Sequence, residues 1–123
     1  MLIGDEDFPN ESITLDLKFG YDFESRRSKL ELVKDIVAMA NTRGGSLRFG
    51  ESETEQIGVT PLEVNALDSS RIASFVNSFI VPSTVIVSHS IEPMDGERAV
   101  VEIAVESVLG PPIVMAKTGN YEG

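Results

Sequence analysis

The stretch AMANTRGGSLRFG, Ala38 to Gly50, decides how the rest of the chain is read. Upstream, Leu30, Val33, Val37 and Ala40 recur at helical spacing, and Ser25 or Ser28 can cap the start of that helix. Asn41 suits its end, and Gly44 and Gly45 can take the positive-φ conformations that stop it. Downstream, SLRFG reads as a short strand with Leu47 and Phe49 inward. A helix stop needs only one glycine. The surplus leaves two readings open: a plain turn, or a loop whose backbone N–H groups meet phosphate oxygens beside Arg43 and Arg48.

Moving outward, Ile13, Leu15, Leu17 and Phe19 alternate with Thr14, Asp16 and Lys18, the pattern of a half-buried strand. Beyond a polar loop with Gly58 and Pro61, Asp68 can cap a second helix with the stripe Ile72, Phe75, Val76, Phe79. TVIVSHSIE and RAVVEIAVE then form a hairpin through Asp95-Gly96, with Val101, Ile103 and Val105 inward and Glu102 and Glu106 facing water. PPIVMAKTGNY supplies an additional edge strand, placed there by Pro111 and Pro112. The order is strand, helix, strand, helix, strand, strand. It predicts an α+β, two-layer domain over residues 12–123 with helices packed on a mixed β-sheet, preceded by an acidic N-terminal arm over residues 1–11.

The 123 residues suit one domain, and the chain has no cysteine for disulfide or thiolate chemistry. No signal peptide opens it, and its longest apolar run is broken by Asn77 and Pro82, so the reading is a soluble, cytoplasmic protein with no membrane partner. The net charge of −10 argues against nucleic acid in general, but its distribution does not. Residues 1–24 carry −6, residues 25–48 carry +4, and residues 49–123 carry −8. One basic island (Arg26, Arg27, Lys29, Lys34, Arg43, Arg48) stands in an acidic chain.

Glu11-Ser12, the strand Asp16-x-Lys18, and Ala40-Asn41-Thr42-x-Gly44-Gly45 leading to Gly50 together resemble the Schlafen AlbA_2 family. The resemblance implies an Alba-like fold and a DNA-binding domain, commonly the N-terminal part of longer bacterial transcriptional regulators or RecG-type helicase-related proteins. It also implies an alternative, since some Schlafen proteins are metal-dependent nucleases with three acidic residues. Two of those positions fall on Glu11 and Asp16. The third falls near Glu51 or Glu53, where this chain reads GESET, so Glu11, Asp16 and Glu53 are the catalytic candidates and Glu11, Asp16 and Glu51 the metal ligands. Only that alternative calls for a cofactor, Mg²⁺ or Mn²⁺; binding alone needs none.

Each feature also has a plain explanation. Glu11 and Asp16 lie an odd number of residues apart and point to opposite faces of one regular strand; Asp16 can simply pair with Lys18. His89, the single histidine, lacks zinc-ligand companions and reads as a strand surface residue. Tyr21 and Phe23, beside the basic helix, are the candidates for stacking on unpaired bases. The nucleic-acid contacts expected are Arg26, Arg27, Lys29, Lys34, Asn41, Thr42, Arg43, Gly44, Gly45 and Arg48. The expected partners are DNA ahead of RNA and further domains of the same chain, with a homodimer or protein-interaction role as the remaining alternative.

Overall fold

A computed structural model describes residues 15–82, 84–108 and 110–116. Strand β1 (Leu15–Lys18) leads to helix α1 (Arg26–Ala40) and strand β2 (Gly45–Phe49). Helices α2 (Pro61–Ala66) and α3 (Ser69–Asn77) follow, then β3 (Ile80–Val81), β4 (Val87–Pro93), β5 (Ala99–Val105) and β6 (Val114–Met115). The main sheet has the order β1-β2-β5-β4, with β1 parallel to β2 and the other pairs antiparallel. The mixed sheet and packed helices make the α+β, two-layer architecture expected.

The interior shows why these elements hold. Leu32, Val33, Ile36, Met39 and Ala40 of α1 are buried with Leu47 and Phe49 of β2, Ile72 and Val76 of α3, and Val101, Ile103 and Val105 of β5. Ser25 caps α1, its Oγ accepting from the Ser28 N–H at 3.1 Å, and Asp68 caps α3 through the Arg71 N–H. The Asp-Gly hairpin is closed by Met94 N–H to the Arg98 carbonyl at 2.8 Å, with Gly96 and Glu97 at φ 73° and 72°.

Several expectations shift. The buried stripe of α1 is turned relative to the predicted one: Leu30 and Val37 only flank the core, because sheet and α3 cover the side that carries Leu32, Ile36 and Met39. Positive φ falls on Gly44, at 78°, while Gly45 already belongs to β2. The polar loop contains α2, whose Thr60 and Glu63 form a reciprocal capping box with Pro61 at the helix start. The Pro-rich segment does not extend the main sheet. Its β6 pairs with β3 in a separate two-stranded ladder.

Strand β1 is turned over. Its register places Asp16 beside Leu47 and Lys18 beside Phe49, on the helix-covered face, and Leu17 beside Arg48 on the open one. As the edge strand it lies at the margin of the helix layer, so its inner side meets the polar flank of α1 (Asp35) rather than the core. Phe19 is 49% exposed and sits outside the interior. The predicted arm, and Ile13 and Thr14 of the predicted first strand, lie outside the described residues.

Candidate nucleic-acid interface

The loop between α1 and β2 is tied into the fold residue by residue. The Asn41 side chain behaves like a strand neighbour: its Nδ2 donates to the Ile113 carbonyl at 2.9 Å and its Oδ1 accepts from the Ile113 N–H at 2.8 Å. The Thr42 hydroxyl donates to the carbonyls of Ala38 and Met39, which the helix end leaves without intrahelical donors. Gly44 passes so close to β5 that a Cβ would lie 2.5 Å from the Val105 carbonyl oxygen. The Ser107 hydroxyl donates to the Thr42 carbonyl, and the Val108 N–H to that of Ala40. Conformation and closure account for Asn41, Thr42 and Gly44; Arg43 alone extends from the loop, exposed and without an ion pair to any described residue.

The six cations of the basic island divide. Arg48 is engaged: Nε donates to Glu51 at 2.7 Å, Nη1 to Glu102 at 2.6 Å, and Nη2 to both oxygens of Glu92 at 3.0 Å. Burial works against its charge, but these carboxylates outweigh burial and hold the guanidinium firmly protonated. Glu102, expected to face water, is therefore half of a cross-strand pair on the open face. Arg27 meets Glu31 only loosely, at 3.9 Å, with its side chain 89% exposed. Lys29 lies over the Phe75 ring, 5.7 Å from its centroid. Arg26 and Lys34 are exposed and, like Arg43, form no ion pair with a described residue.

At about 100° per residue, Arg27 and Lys34 stand nearly one above the other on α1, about 10 Å apart along its axis. Arg26 lies beside Arg27 toward Lys29, and Arg43 stands two residues after the Asn41 cap at the other end of the helix. Glu31 and Asp35 occupy the opposite flank, where Asp35 pairs with Lys18 at 3.1 Å. The first turn of α1 carries no acid. Its three basic residues sit against the positive end of the helix macrodipole, an arrangement that costs stability locally.

The acidic candidates do not converge among the described residues. Asp16 is held by Lys18 at 3.0 Å on the helix-covered face. Burial tends to lower the Lys18 pKa, but its hydrogen bonds and charge attraction to Asp16 and Asp35 win and raise it. Glu51 is bound to Arg48 on the other face, and Glu53 is exposed beside Leu17, Ser52 and Thr54. Glu11 lies outside the described residues. No cluster of three His, Cys, Asp or Glu side chains able to hold a metal occurs among the described residues, so the acids present there do not fit a Mg²⁺ or Mn²⁺ site as a set.

Two features were not anticipated. His89 Nδ1 accepts from the Ser69 N–H at 3.0 Å and lies 2.9 Å from its Oγ, joining β4 to the start of α3. A groove of about 250 Å³ runs between the first turns of α1, the turn before it, and α3, lined among others by Tyr21, Phe23, Lys29, Leu32, Arg71 and Phe75. Glu63 organises one wall: it accepts from the Tyr21 N–H at 2.9 Å while completing the α2 cap. Burial would raise the Glu63 pKa, but these backbone donors and the Thr60 hydroxyl, with the charge of Arg98, lower it. Tyr21, expected as a stacking residue, is 9% exposed and packs edge-on against Phe49 with ring centroids 5.8 Å apart.

The architecture is a small α+β module whose first helix carries an exposed basic ridge. More specifically, the family described as Schlafen, AlbA_2 matches residues 11–122, and the chain belongs to it. Membership points to nucleic-acid binding in general terms. No curated protein matches the chain. Among the described residues, no helix is long and apolar enough to cross a membrane.

Proposed function

We propose that this chain is a DNA-binding module of a cytoplasmic bacterial transcriptional regulator or helicase-related protein, working alongside further domains. It grips the phosphate backbone through the exposed ridge of α1. The observation that carries this reading is the set Arg26, Arg27, Lys34 and Arg43: exposed cations, at most loosely paired, in a chain whose net charge is −10. Basic side chains opposing their own helix dipole gain a favourable partner when phosphate arrives. Arg48 is left out of the contact set because three carboxylates already hold it. Asn41, Thr42 and Gly44 contribute by fixing where Arg43 emerges.

A salt titration tests this. Four cations on duplex DNA should give a log K against log salt slope of about −3 to −4, and each alanine replacement should shallow it by about 1. Replacing Arg26, Arg27, Lys34 and Arg43 together by glutamate should abolish binding. Charge-reversed protein that binds as tightly as the parent would overturn the reading.

A further inference from the structure

In a chain with twice as many acids as bases, no acidic side chain among the described residues lines the groove beside α1. Leu32 and Ile72 provide apolar surface, Phe23 and Phe75 aromatic surface, and Lys29 and Arg71 positive charge. Arg71 is exposed and makes no ion pair with a described residue. Tyr21 is nine-tenths buried, yet its phenol has no hydrogen-bond partner among the described residues. A volume of about 250 Å³ is below the roughly 300–1,000 Å³ of sites for drug-sized molecules, so it suits one flat ring system.

We infer that the groove receives a single unpaired base of a single-stranded nucleic acid. This rests on the proposed function and deepens it. Going round α1 from Arg27 to Arg26 to Lys29, the cations lead from the exposed ridge to the groove, so a strand tracking the ridge arrives there with its phosphates already neutralised. Lys29 occupies the Phe75 ring face in the free protein. An entering base stacks on Phe23 and displaces the ammonium from the Phe75 face; the ammonium turns to the adjoining phosphate with Arg71, and the Tyr21 hydroxyl bonds to the base edge. Stacking of this kind tolerates any base, because each presents a π-face. The module would thus prefer unpaired to duplex nucleic acid without reading sequence.

The test compares fluorescence anisotropy of labelled oligothymidine, an abasic strand of equal length, and a duplex, using the whole 123-residue chain. The normal strand should bind tighter than the abasic one by about 5- to 150-fold, the range that stacking of one base supplies. Phe23→Ala should remove most of that difference, Phe23→Trp should restore it, and Tyr21→Phe should remove about 2- to 12-fold. Duplex affinity should stay unchanged throughout, with circular dichroism confirming that each variant folds. Equal affinity for normal and abasic strands overturns the inference, as do variants that weaken single strands and duplex together. Self-association lost in Phe23→Ala, with no discrimination among oligonucleotides, would also overturn it by showing that a second copy fills the groove. Salt-dependent duplex binding that survives those results would leave the phosphate ridge standing. No binding by any oligonucleotide at low salt would remove both.

Discussion

Replacing Asn41 with alanine separates a clasp from a binding loop. The side chain makes two hydrogen bonds to Ile113, at 2.8 and 2.9 Å, across a sequence separation of 72 residues. Ile113 is only 2% exposed, so its backbone groups depend on that partner, but the Asn41 side is open to water. Two fully buried orphaned groups would cost about 2–6 kcal/mol; with water reaching one side, about 1–2 kcal/mol is expected. For a domain of this length that is a fall in Tm of about 3–8 °C. Urea unfolding followed by circular dichroism gives the stability, and anisotropy at fixed salt gives the affinity. Asn41→Asp should do no better than alanine, since it keeps the acceptor for the Ile113 N–H but sets a carboxylate oxygen against the Ile113 carbonyl. An unchanged urea midpoint together with an affinity loss above about fivefold, or roughly 1 kcal/mol, would refute the clasp and return Asn41 to the interface.

Two further perturbations address the scaffold of the site. Gly44→Ala forces a side chain into φ 78° and places its Cβ 2.5 Å from the Val105 oxygen; a loss above about 2 kcal/mol in denaturant unfolding is expected, and a near-neutral result would contradict the close approach. Glu63→Gln probes pH. The folded Glu63 pKa lies below its ordinary value of 4.5, so its contribution is present above that value and disappears as pH falls through the folded pKa. The variant should cost about 0.5–1 kcal/mol at neutral pH and show a shallower loss of stability on acidification; parallel pH–stability curves would count against the assigned role.

Much of the frame was legible because its signals are local. The caps at Ser25 and Asp68, the apolar period of α1 and α3, and Asp95-Gly96 each act within a few residues of where they are written. The Thr60-Pro61-x-Glu63 signature of α2 is equally local, but Gly58 and Pro61 give the stretch the composition of a loop. What could not be read was pairing over distance. Arg48 looked free for phosphate, but Glu92 and Glu102, 44 and 54 residues on, claim it once β2, β5 and β4 align. Asn41 looked like a loop contact because Ile113 arrives beside it only through the chain reversal after β5. The alternation of β1 was visible, but which side turns inward depends on its place at the sheet margin. Phe23 is legible as a stacking candidate beside the basic helix, whereas Arg71 and Phe75 come from a helix whose approach to α1 no periodicity reveals.

The inward turn of Asp16 and Lys18 bears on how the molecule behaves when crowded. An intruding strand that tried to lengthen the sheet beyond β1 would have to lie across the linked charges of Asp16, Lys18 and Asp35, stripping them of water. At the opposite border, Glu92 and the ring of Pro93 interrupt a neighbour seeking a full ladder of donors. With both flanks guarded in this way, runaway strand addition of the amyloid type is discouraged at source, and the small helical layer need not shield the rims.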